Sequence, residues 1–152
     1  MQPNVLDILK NHVLLSALIA WSLAQILKAP IEYFRSGKFD WALLLSVGGM
    51  PSSHSTLVTA IAISTGLYAG FNSPDFAIAA AIAMVVVYDA TGVRRQAGIH
   101  AQRINLLVNE LLTGHPISEK DLLEVLGHTP REAAGGVIWG AFISVLMWYL
   151  WR

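Results

Sequence analysis

The chain has 152 residues, no cysteine, and ten basic against ten acidic side chains; 55% of its residues are apolar and only 13% charged. That is about half the charged share of an ordinary soluble domain and points to a membrane. A net charge of zero excludes a field that would draw nucleic acid, and the lack of cysteine excludes disulfides, thiolate nucleophiles and cysteine-bound zinc.

A bilayer span needs about 20 mostly apolar residues, and that length sorts the chain. Residues 1–11 hold one cation and no small-residue cleavage site follows, so no removable signal peptide is expected. HVLLSALIAWSLAQILKA, 12–29, is the first predicted span, and the polar stretch Lys28 to Asp40 follows it. WALLLSVGGM, 41–50, is apolar but too short to cross, and it carries a glycine pair. It reads as a re-entrant or interfacial piece, whose backbone must be covered by protein. The second span begins at Pro51 and runs to about 70, with Ser52 placed to cap its first unpaired amides.

The turn FNSPD, 71–75, ends that span, and FAIAAAIAMVVVYDATG, 76–92, is the third, with Asp89 in its final turn. Residues 94–113 place apolar side chains at 104, 107, 108, 111 and 112 with charges opposite, the pattern of an amphipathic helix. SEKDLLEVLG, 118–127, reads as a second short helix, capped by Ser118 and closed by Gly127. Thr129, Pro130 and Glu132 form a helix-start signature. The fourth span, 133–151, then closes on a Trp-Tyr-Trp cluster suited to a membrane interface. The expected architecture is all-α: a single membrane-embedded domain over 1–152, an integral membrane helical bundle of about four spans plus a re-entrant segment and one or two interfacial amphipathic helices.

If 41–50 does not cross, one membrane face receives Lys28, Arg35, Lys38, Arg94, Arg95, Arg103, Lys120 and Arg131, eight of the ten cations. The positive-inside rule assigns that face to the cytoplasm, and a bacterial inner membrane is the expected location. The same face collects Ser52, Ser53, His54, Asp89, His100, Asn105, His115, His128 and Glu132. Cations, hydroxyls, imidazoles and a helix start suit a phosphate at the membrane surface. Arginine supplies forked donors to phosphoryl oxygens, lysine supplements them, and a helix N-terminus offers backbone N–H groups. Imidazole attacks phosphorus or protonates a leaving alkoxide near neutral pH.

Plainer readings stand beside these. Arg94 and Arg95 are also natural positive-inside anchors, Lys28 can snorkel from a helix end, and His100 suits the polar face of an interfacial helix. His115 reads as a turn residue and His12, on the opposite side, as incidental. Asp89 ends an apolar run, where an acid is expensive unless paired or wet, and Arg94 or Arg95 is its natural partner.

The residues resemble the phosphatidic acid phosphatase type 2 and vanadium haloperoxidase superfamily, in its divergent small-membrane-protein branch. The superfamily signatures are K-x(6)-R-P, P-S-G-H and S-R-x(5)-H-x(3)-D. Lys28 and Arg35 keep the first spacing in KAPIEYFRS, with Ser36 in place of proline; Pro51-Ser52-Ser53-His54 matches the second with serine for glycine. Arg94 and His100 keep the third in VRRQAGIH, where Val93 replaces the serine and Ile104 the aspartate. The resemblance covers almost the whole chain. It implies that Lys28, Arg35 and Arg94 hold phosphate oxygens with Ser53 and the backbone of 52–54, and Ser52 and Arg95 belong to the same candidate phosphate-binding group. His100 would be the nucleophile and His54 the acid for the leaving oxygen, with no metal or other cofactor. With Ile104 where the aspartate belongs, Asp89, Asn105 and Glu132 are candidates to orient the nucleophile, and Asp89 or His128 to replace it.

The expected function is hydrolysis of a lipid phosphate monoester or pyrophosphate. The alternative is a non-catalytic membrane protein that keeps an anionic-lipid or phosphate pocket. Gly135, Gly136 and Gly140 with Ala133, Ala134 and Ala141 form a small-residue face on the last span, which invites a homodimer.

Overall fold

The computed structural model of the chain describes residues 4–37, 39, 41, 48–111 and 129–152; along 93–95 and at 102, 106, 109 and 110 it describes the backbone. The described residues hold no strand. A short 3-10 helix, Val5–Lys10, leads into α1 (His12–Ser36), α2 (Ser53–Ala69), α3 (Pro74–Thr91), α4 (Val93–Leu111) and α5 (Pro130–Trp151).

Local chemistry sets these ends. Asn11 caps α1 by accepting from the Leu14 amide at 3.0 Å. α1 continues through Pro30 to Ser36, past the expected end at 29, and stops at Gly37, whose φ of 71° is the left-handed turn glycine adopts freely. Proline removes one internal hydrogen bond, and IEYFRS beyond it keeps helix-compatible residues up to that cap. Ser52 caps α2 through the Ser55 amide, and Ser73 caps α3 with Pro74 behind it. The Thr129–Glu132 capping box opens α5, as its sequence predicts. The expected re-entrant segment falls mostly on 42–47, and the expected helix 118–127 wholly, outside the described residues.

α2 is the central helix, with α1, α3 and α5 packed on it; α4 touches only α3 among the described elements. Ring contacts of His12 with Tyr68 (5.4 Å) and Trp151 (5.0 Å) join the start of α1 to the ends of α2 and α5. α1 is therefore antiparallel to both, and α2 and α5 run parallel.

The α2–α5 contact has a constant register. Gly136 faces Ser52, Gly140 faces Thr56, and the Ser144 hydroxyl donates to the Ala60 carbonyl at 3.1 Å, each pair 84 residues apart. Small residues every fourth position let two backbones meet, the form of packing open to helices whose alternative partner is lipid. Gly136 and Gly140, expected on a dimer face, are thus buried by α2 of the same chain. Ala134 is left exposed on α5.

The buried core is alanine, serine, threonine and glycine, around Ala17, Ala20, Ala60 and Ile143. Large apolar side chains point outward, among them Ile78, Ile82, Met84 and Val85 of α3 and Ile138, Phe142 and Leu150 of α5. This inverts a water-soluble interior and fits a helical membrane bundle. Three stretches are long and apolar enough to cross, 12–36, 74–105 and 130–151. α2, with 17 residues, is about 25 Å long and lies among them.

Candidate functional site

The site begins with a tight approach of loop to helix. Gly49 has a φ of 89°, which favours glycine, and the Lys28 stem lies 3.7 Å from where its Cβ would stand. After the cis Met50–Pro51 bond the chain enters Ser52, which is fully buried. The Ser52 amide donates to the Glu132 carbonyl at 3.1 Å, and its hydroxyl accepts from the Ser55 amide at 3.3 Å. The Thr56 hydroxyl faces the carbonyls of Ser52 (2.8 Å) and Gly136 (3.1 Å), fastening α2 to α5 just below. Ser53 donates to Gln25 Oε1 of α1.

Lys28 lies one turn beyond Gln25 on the same face of α1 and is 1% exposed. An ammonium buried this far needs a counter-charge, and the Glu132 carboxylate acts on it electrostatically. Glu132 itself is held by the start of α5, where the Thr129 amide donates to Oε2 at 2.8 Å. Two turns past Lys28, Arg35 is exposed and 3.9 Å from Glu32, a loose surface pair that leaves the guanidinium available. Arg35, Met50, Thr129, Pro130, Arg131 and Glu132 line a groove of about 580 Å³. His54 stands half-buried in the first turn of α2, next to Ser53.

Lys28, Arg35, Ser52, Ser53, His54 and Glu132 are therefore gathered at one end of the bundle. Asp89 reaches the same end, because α3 folds back along α2 after a short turn and the two helices are 18 and 17 residues long. The third signature stands apart. His100 is exposed on α4 and lines a separate groove of about 490 Å³ with Tyr88, Gly92, Gln96 and Ala97. Asn105 is half-buried, and Ile104 is exposed on the same helix. Arg94 and Arg95 begin α4, and their side chains, like the whole of His128 and His115, lie outside the described residues. Among the described residues no three His, Asp or Glu side chains meet as metal ligands would.

Sequence reasoning missed Gln25 as the partner of Ser53 and Arg131 as a wall of the groove. Gln25 carries a signal in retrospect: a lone amide inside an apolar run, three residues before Lys28, shares its helix face. The charge pattern places Arg131 on the same membrane face, but only the approach of α5 to the Met50–Ser52 loop makes it a wall of the groove.

Residues 9–143 match the family described as the Divergent PAP2 family. The chain is 41% identical over 155 residues to the uncharacterized membrane protein YuiD of Bacillus subtilis (strain 168), an alignment covering 95% of this chain and 98% of that protein. No solved structure matches it.

Proposed function

The chain belongs to the Divergent PAP2 family, and from that premise we propose that it is an integral membrane phosphatase, hydrolysing a lipid phosphate monoester or pyrophosphate at the cytoplasmic membrane face. The observation that carries this reading is Lys28: a buried ammonium set against Gly49, level with the Ser52-Ser53-His54 start of α2. Fixed positive charge and a helix N-terminus aimed at one spot suit an oxyanion. Arg35 and the groove beside it give room for a headgroup entering from the membrane surface.

In this mechanism Lys28 and Arg35 hold the phosphoryl oxygens and offset the charge that spreads over them in the transition state. His54 gives a proton to the leaving lipid oxygen as the P–O bond breaks, and then takes one from the water that completes hydrolysis. The resemblance assigns the attack on phosphorus to His100. That role requires α4 to turn about Gly92, where the helix is interrupted at φ −102° and ψ −85°. The position of the cations, with Arg35 and Arg131 at the site end, supports a cytoplasmic site in a bacterial inner membrane.

Release of inorganic phosphate from lipid phosphates in detergent tests the proposal, and turnover that survives His54→Ala unchanged would refute it. A second reading, a phosphate-binding membrane protein without turnover, draws on Ile104 in the aspartate position and on the separation of α4 from the Lys28 group. Vanadate binding without phosphate release would select it.

A further inference from the structure

Glu132 brings a negative charge into a group of residues otherwise suited to an anion. Its backbone carbonyl holds the Ser52 amide at 3.1 Å, so the residue is fixed beside the cap of α2. One carboxylate oxygen, Oε2, accepts from the Thr129 amide, and the side chain lines the groove together with Arg35 and Arg131. An acid at the third position of a helix is an ordinary cap and needs no ligand to explain it. Here, however, the capping acid shares the Gly49–Ser52 loop with a lysine on a different helix that is 1% exposed: Ser52 donates to the Glu132 carbonyl, and the Lys28 stem packs against Gly49.

We propose that Glu132 is the resident counter-ion of Lys28, displaced from it when a phosphoryl group binds and returning to it when inorganic phosphate leaves. This rests on the reading of the site as a phosphate pocket. A buried ammonium left unpaired is strongly unfavourable, so between turnovers Lys28 must keep a partner, and the carboxylate supplies one already fixed in place. An incoming phosphate brings up to two negative charges and three acceptor oxygens, and it draws on Arg35 and the α2 dipole as well. It therefore outcompetes the single carboxylate. The same competition weakens the hold on product, because the carboxylate is ready to take the lysine back. Glu132 is a positioning residue: it acts through Lys28 and not on the reacting atoms.

The test uses the full chain in non-ionic detergent. Glutamine at the third position keeps the cap and removes the charge, so Glu132→Gln separates the two roles. Inorganic phosphate binding by calorimetry is expected to be about tenfold tighter in Glu132→Gln than in the native chain. The ligand-free variant should melt lower than the native chain, and Lys28→Met combined with Glu132→Gln should recover that loss, since the two charges are one pair. A Glu132→Gln protein that binds phosphate with unchanged or weaker affinity overturns the inference while leaving the phosphate pocket standing. If neither protein binds phosphate, both readings fall. If only the variant binds, the carboxylate is confirmed as the competitor.

Discussion

Gly140 lies directly on the backbone of Thr56: a Cβ there would stand 2.5 Å from the Thr56 carbonyl oxygen and 3.2 Å from the Ala60 amide nitrogen. Backbone atoms of a packed helix cannot step aside as a flexible side chain can. Gly140→Ala is therefore expected to lower stability by about 1–3 kcal/mol, seen as a lower thermal midpoint in detergent. Gly135→Ala is the comparison, because its nearest neighbour is the mobile end of Met50 at 3.0 Å. It should stay within about 0.5 kcal/mol of the native chain. Equal losses from both would mean that α2 and α5 do not meet through their glycines.

Lys28→Met keeps the length of the buried stem and removes its charge. Phosphate or vanadate binding should weaken by about 100-fold or more, while the unfolding midpoint moves by no more than about 4 °C. Undiminished anion affinity in this variant would take Lys28 out of the site.

Arg35→Ala separates surface pairing from ligand holding. Its contact with Glu32 is exposed and long at 3.9 Å, so stability should change by less than about 1 kcal/mol. Phosphate affinity should nevertheless fall about tenfold, because a charge-assisted donor is lost from the groove. A drop in midpoint with affinity intact would reverse that assignment.

The two imidazoles are expected to differ. His54→Asn, at the start of α2 beside Ser53, should reduce phosphate release by about 100-fold or more, the usual scale for a lost acid–base group. His100→Asn removes the group assigned to attack phosphorus and should abolish release, although its helix touches only α3 at rest, because α4 must close onto the site during turnover. Phosphate release assays on both variants decide it; a loss of less than about tenfold in His100→Asn would mean that α4 stays apart and that another group attacks.

Helix caps and apolar lengths made most of the fold legible. Ser52, and Thr129 with Glu132, announce their helices locally and cap them in the structure; the FNSPD turn marks the break after α2, but α3 starts two residues earlier than expected, at Pro74, because Ser73 caps it. The passage of α1 through Pro30 was not legible, because the end of a helix depends on a cap further on as much as on the residue that weakens it. The destination of Gly136 and Gly140 was also hidden. A small-residue stripe shows that something packs closely, and only the register against Ser52 and Thr56 shows that the partner is in the same chain. Lys28 was legible as a candidate from its spacing to Arg35, but its burial and its link to Glu132 arise from three helices meeting. His100 kept its signature spacing and still lies on a helix apart, since spacing along the chain does not fix how α4 is set against α2.

One consequence concerns biosynthesis. The Ser52 amide finds its acceptor on Glu132, and the Thr56 hydroxyl faces Gly136, a partner 80 residues downstream. A ribosome that has delivered only the amino-terminal half has supplied the cradle without its last wall. The pocket is closed only after the final helix has entered the bilayer, so premature termination upstream of α5 leaves α1 to α4 without the wall that Glu132 and Gly136 supply.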